Sequence, residues 1–123
     1  MSPAEIGQLI EKTLAGLPER TSGNEANQLV AESLRGLVVS DRDALVGGLR
    51  NLISFRISGQ PRSDKEVVQE ARVWLALDVT EALALQELRP DIESLCRAIR
   101  SGLIFKPVHE DMVSRYLERM ATR

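Results

Sequence analysis

Cysteine, histidine and aromatic residues are nearly missing from this chain of 123 residues, which has one cysteine, one histidine, one tryptophan, one tyrosine and two phenylalanines. With Cys96 alone no intrachain disulfide can form, and a reducing compartment is the natural setting. A transition-metal site needs several nitrogen or sulfur donors at definite spacing, and His109 and Cys96 do not supply them. The scarcity of aromatics leaves a core of Leu, Val, Ile and Ala, which suits packed helices better than a sandwich of short strands. Long apolar runs are missing too: the longest, Val73–Leu77, is far too short for a bilayer. Met1-Ser2-Pro3-Ala4-Glu5 has neither the charged start nor the apolar stretch of a secretory leader, so a cytoplasmic protein is expected. The net charge of −2 lacks the basic excess that usually marks nucleic-acid or anionic-membrane binding.

What is present is an ordinary folding composition, 43% hydrophobic and 28% charged, over a length that fits one domain spanning residues 1–123. Helix punctuation is legible. Ser2-Pro3-Ala4-Glu5, Ser22-Gly23-Asn24-Glu25 and Ser63-Asp64-Lys65-Glu66 fit the capping box, in which serine and glutamate each satisfy a free backbone N–H. Ser40-Asp41-Arg42-Asp43 is a weaker version, and Pro90 and Pro107 mark two further first turns. Six starts predict an all-α bundle of five to six helices. Apolar spacing agrees: Ile6, Leu9, Ile10, Leu14 and Leu17 share one face, and Ala26, Leu29, Val30, Leu34 and Leu37 another. Ile92, Leu95, Cys96 and Ile99 form a third, and Met112, Val113, Tyr116, Leu117 and Met120 a fourth.

Between Val67 and Leu88 apolar residues nearly encircle the helix, so this segment should be the most buried, interrupted by Asp78 and Glu81. Ile53 to Ser58 alternates with a period of two, yet Leu45, Leu49, Leu52 and Ile53 run into it at helical spacing. It reads as the end of a helix closed by the turn Gly59-Gln60-Pro61. Gly47-Gly48 weakens that helix by about 1 kcal/mol per glycine and suggests close packing against a neighbour.

The chain also matches itself at a shift of 46 positions. Leu29 falls on Leu75, Leu37 on Leu83, Val39 on Leu85, Val46 on Ile92, Leu49 on Leu95 and Ile53 on Ile99, with Asp41 on Glu87. Residues 26–53 and 72–99 thus read as two helix–turn–helix units whose apolar faces close on each other. The period falls in the range of HEAT and armadillo units, and Val73-Trp74-Leu75-Ala76-Leu77 through Ile92-Glu93-Ser94-Leu95 resembles a HEAT-type hairpin. That resemblance covers about half the chain. It implies two stacked hairpins, a scaffold that binds partners along a curved helical surface, and no catalytic residue.

Three residues invite a chemical reading. His109, beside Glu110 and Asp111, is most simply an exposed residue at a helix start. Cys96 is most simply a small buried hydrophobe. Asp78, flanked by Leu77 and Val79, needs hydrogen bonds or a cation if buried, and an arginine partner is expected. Arg50, Arg56 and Arg62 form one cationic stretch, and Arg97, Arg100 and Lys106 another; together they are the candidate interaction surface. The functional expectation is a non-catalytic, cofactor-free helical module for binding protein, an adaptor, regulator or scaffold, with an apolar patch rimmed by charge that also suits a homodimer. The alternative is a nucleic-acid-binding or nucleoprotein subunit using the arginines. A small enzyme ranks last, and it would require Asp78 or His109 to border a pocket.

Overall fold

The computed structural model describes residues 1–57 and 63–122. Ser2 and Ser63 each close a complete capping box, Ser2 with Glu5 and Ser63 with Glu66, and open helices α1 (Pro3–Ala15) and α5 (Asp64–Ala82). Ser22 caps α2 (Gly23–Leu34) through the Glu25 N–H alone. Ser40-Asp41 gives no side-chain cap to α4 (Arg42–Ile53); Asp41 instead meets the Met1 ammonium at 2.9 Å. Pro90 lies in the first turn of α6 (Arg89–Arg100). Pro107 sits in the turn just before α7 (His109–Ala121), where the Lys106 N–H donates to His109 Nδ1 at 3.1 Å. That bond ties His109, the first residue of α7, to the turn before it, while the N-cap Val108 offers no side-chain cap. All six expected starts are present. A short seventh helix, α3 (Leu37–Ser40), bridges α2 and α4, and the described residues contain no strand.

The chain is therefore an all-helical bundle around one largely aliphatic core, whose buried side chains come from every helix except α3; α3 packs Leu37 and Val38 against it half-buried. α1 lies on α4, and α6 on α7, while α5 packs against α4, α2 and α7 together. Central placement of α5 matches its composition only from Val73 onward, where Val73, Leu75, Ala76, Leu77, Val79 and Thr80 are buried. Val67 and Val68 are exposed, and Val68 edges a shallow recess with Glu11, Leu52 and Phe55 instead of entering the core. The helix also stops earlier than Leu88: Ala84 turns left-handed (φ 52°), and a 3₁₀ turn at Gln86–Leu88 leads into α6. A left-handed alanine costs roughly 1–2 kcal/mol that glycine avoids, against about 0.5–1 kcal/mol of extra chain entropy for glycine. Ala84→Gly is therefore expected to raise stability by about 0.5 kcal/mol, read from a urea midpoint at unchanged slope.

α4 ends at Ile53, and Phe55–Ile57 is neither helix nor strand. The Ile57 N–H donates to the Leu103 carbonyl at 2.6 Å, which ties this segment to the loop between α6 and α7. The proposed turn Gly59-Gln60-Pro61 lies outside the described residues. Gly47 and Gly48 are where α1 touches α4: a Cβ on Gly48 would stand 2.5 Å from Ile6 Cβ, and one on Gly47 would stand 2.9 Å from Pro3 Cγ.

The internal match holds in part. Shifting Arg42–Ile53 by 46 gives 88–99, one residue from the Arg89–Arg100 span of α6, and Val46, Leu49, Ile53, Ile92, Leu95 and Ile99 are all buried. The first helices of the two units differ. Leu29 is 41% and Val39 93% exposed, whereas their counterparts Leu75 and Leu85 are buried. α2 buries Val30, Ala31 and Leu34 instead. The apolar faces do not close within each unit either: the extensive contacts of α4 are with α1 and α5, and those of α6 with α7.

Two arginine bridges cross between the units. Arg42 grips Glu87 through Nε and Nη2 at 2.6 and 2.9 Å, and Arg50 Nε reaches both Asp91 oxygens at 3.2 Å. The Arg42 guanidinium holds the Glu87 carboxyl down to about 2 from an ordinary 4.5. A lowered carboxyl stabilises the fold above pH 4.5, and that contribution disappears as pH falls toward 2. The pair is well exposed, so solvent screening keeps its worth to about 0.5 kcal/mol. Glu87→Gln should flatten the acid limb of the stability–pH curve by that amount and leave neutral pH slightly less stable.

Candidate functional site

A cleft of about 650 Å³ opens between α2, α5 and α7, closed at one side by Leu14 near the end of α1. Helical periodicity places its walls. From α5 come Ala71, Trp74, Leu75 and Asp78, four positions on one face, with Arg72 beside them. From α7 come His109, Met112 and Tyr116 on one stripe, with Arg115 and Arg119 next to it. The first turns of α2 add Asn24 and Asn27.

Asp78 is the hub. Its Oδ2 accepts from Asn27 Nδ2 at 2.7 Å and its Oδ1 from the Tyr116 hydroxyl at 2.5 Å. The partners are thus an amide and a phenol, not the expected arginine. Half-burial between helices explains the substitution: two neutral donors from opposite walls satisfy the carboxylate without desolvating a guanidinium. Burial, reinforced by the bond to Asp78, pushes the Tyr116 phenol well above its ordinary value. Tyr116 therefore stays protonated, a fixed donor that cannot act as a base at neutral pH.

The cations are held at the rim. Arg72 pairs with Glu11 through Nε and Nη2 at 2.5 and 3.0 Å, and this bond keeps the Glu11 carboxyl below its usual value. Arg119 pairs with Glu81 at 2.8 Å and lays its guanidinium carbon 4.6 Å from the centre of the Tyr116 ring. Arg115 is exposed, and among the described residues no carboxylate meets it.

One wall is stiffened by an aromatic cluster. Trp74 stacks on Phe105 with ring centres 4.7 Å apart and planes at 21°, and His109 meets both rings edge-on at 5.8 and 5.6 Å. Phe105 holds this place with a left-handed backbone (φ 56°), a conformation costing a bulky residue about 1–3 kcal/mol. Stacking and near-complete burial of its ring offset that cost. His109 is thus half-buried rather than exposed.

The remaining candidates lie elsewhere. Cys96 is buried with Ser114 Oγ at 3.7 Å from its sulfur. Among the described residues no cluster of His, Cys, Asp and Glu is arranged to hold a metal, and no helix is long and apolar enough to cross a membrane. Of the six expected interaction residues, Arg50 is bridged to Asp91 and Arg100 to Glu110. Arg56 turns onto the Ile53 and Phe55 carbonyls at 2.6 and 2.8 Å, and burial lowers its guanidinium from the ordinary arginine value. Arg97 and Lys106 are exposed, and Arg62 lies outside the described residues.

Asp78 and His109 stood out in the sequence, and both border the cleft; Asn27, Arg72, Trp74, Arg115 and Tyr116 did not as site residues. Asn27 and Tyr116 lie 51 and 38 positions from Asp78, and only the docking of α2 and α7 on α5 brings them to it. Comparison with known proteins gives no family: no family model matches the chain, and neither a curated protein nor a solved structure matches it.

Proposed function

We propose that the chain is a non-catalytic helical recognition module that receives a segment of a protein partner in the cleft between α2, α5 and α7. The observation that carries this reading is the make-up of the cleft. An aromatic and thioether wall of Trp74, Tyr116 and Met112, the last 47% exposed, is rimmed by Arg72, Arg115 and Arg119. Apolar anchors inside a polar rim are the arrangement of interface hot spots, and tryptophan, tyrosine and arginine are their commonest members. The polar groups inside support binding over turnover: both Asp78 oxygens are occupied by donors, Tyr116 is a fixed donor, and His109 Nδ1 accepts the Lys106 N–H. A curved surface of HEAT type would serve the same purpose, but support comes from the cleft, since the repeat agrees only in α4 and α6.

Nucleic-acid contact through the sequence-adjacent arginines draws less support, because Arg50 and Arg100 are ion-paired and Arg56 is turned onto the backbone. The test is affinity capture from the native host with four baits. Wild type and Glu93→Lys, a change on exposed α6 surface, should retain the same partner. Met112→Glu and Trp74→Ala, both at the cleft, should lose it. Retention by all four baits would overturn the assignment of the cleft.

A further inference from the structure

We infer that the segment the cleft receives is acidic: an amphipathic peptide stretch that lays one large apolar side chain against Trp74, Tyr116 and Met112 and sets a carboxylate on Arg115. This rests on the binding role proposed for the cleft and specifies the chemistry of its occupant.

The charges of the cleft are unequal in their commitments. Its lining holds three arginines and one aspartate. Asp78 has an intramolecular donor on each oxygen, so a cationic residue entering the cleft would have to displace Asn27 or Tyr116. Arg72 and Arg119 are each neutralised by an acid beyond the lining, Glu11 and Glu81. Arg115 is the cation left over. It follows Met112 on α7 by three positions and precedes Arg119 by four, so its guanidinium and the exposed thioether lie on one side of the helix.

A guanidinium presents a planar fork that matches a carboxylate with two parallel hydrogen bonds. Such a pair sited next to an apolar anchor reads an acid within a helical turn of a large hydrophobe. The chain as a whole is weakly acidic, at −2, so long-range attraction does not favour an acidic partner and the preference has to be local. A phosphate backbone would need a row of uncommitted cations to release its counterions, and this cleft offers one.

The test pans a displayed library of random-sequence peptides on the full chain. It then measures enriched synthetic peptides by calorimetry against wild type, Arg115→Glu, Arg115→Lys and Met112→Glu. Arg115 is exposed and meets no carboxylate among the described residues, so its variants should keep the wild-type thermal midpoint, which circular dichroism checks.

The expected result is enrichment of Asp or Glu within a turn of Trp, Phe, Leu or Met. Affinity should fall about tenfold or more in Arg115→Glu and largely survive in Arg115→Lys, and weaken as salt rises. Repeating the selection on Arg115→Glu should turn the preference to Lys and Arg. Peptides that Met112→Glu abolishes, but that carry no acidic bias and bind Arg115→Glu as well as wild type, would overturn the acidic occupant while leaving the cleft as a binding site. Peptides that bind Met112→Glu and wild type alike, or no enrichment at all, would overturn the role of the cleft itself.

Discussion

Gly48→Ala is expected to lower the thermal midpoint by about 8–12 °C, a loss of about 2–3 kcal/mol, although alanine is the better helix former. The added methyl would lie 2.5 Å from Ile6 Cβ, 2.7 Å from its Cγ2 and 3.0 Å from the Pro3 carbonyl oxygen. The first two atoms belong to a β-branched side chain fixed at χ1 in a helix, and the third is backbone, so none can swing aside. α1 has to back away from α4 as a unit, and Ile6 and Ile10 lose part of their burial. The roughly 1 kcal/mol that alanine gains in helix propensity is too small to compensate.

Gly7→Ala makes the matched control. Gly7 lies inside α1, and a Cβ there meets nothing within 4 Å, so propensity acts alone and stability should rise by about 0.5–1 kcal/mol. Two glycine-to-alanine changes in packed neighbours should therefore move the midpoint in opposite directions. Equal small gains from both would show that the α1–α4 contact is looser than described.

The second large effect is at Asp78. Asp78→Ala should cost about 2–3 kcal/mol, because it removes one acceptor group and strands two half-buried donors, Asn27 Nδ2 and the Tyr116 hydroxyl. Asp78→Asn should cost much less. The new amide oxygen still accepts from Tyr116, and the Asn27 amide can turn over to offer its own oxygen to the new NH₂. In the Asn27→Ala background that rescue is gone, and Asp78→Asn should become clearly more damaging than it is alone. Chemical denaturation of the four chains measures this coupling directly. Equal damage from Asp78→Ala and Asp78→Asn would mean that the carboxylate charge, not the pair of acceptors, holds α2 and α7 to α5.

The all-helical architecture was readable from local chemistry. Serine with glutamate three positions on places α1 and α5 to the residue, since a capping box is closed by neighbours within one turn. Where the reading slipped, a non-local contact had overridden a local one. Asp41 looks like part of a cap and instead takes the Met1 ammonium. Leu29 sits at correct helical spacing, yet α2 is rotated so that Val30 and Ala31 face the core. Val67 and Val68 are as apolar as Val73, but they stay exposed while Val73 is buried. Asp78 could be recognised as needing partners, because a carboxylate among leucine and valine has to be satisfied. The identity of those partners depends on how α2 and α7 dock, and that depends on the whole core. Arg115 carries no local mark at all; it differs from Arg72 and Arg119, the other two arginines of the cleft, in having no carboxylate among the described residues to meet it.

Trp74 is the only tryptophan in the chain, and it stands in the cleft wall on the face of Phe105. The protein therefore contains a single indole, which can be excited selectively at the red edge beyond the absorption of Tyr116, and that indole is at the place where binding is proposed. An apolar side chain seated on the indole would strip water from it and move its emission to shorter wavelength, with no label attached. Trp74→Phe would be dark under the same excitation, which makes it a built-in blank. Occupancy of this one cleft can then be titrated optically, apart from contacts made anywhere else on the surface.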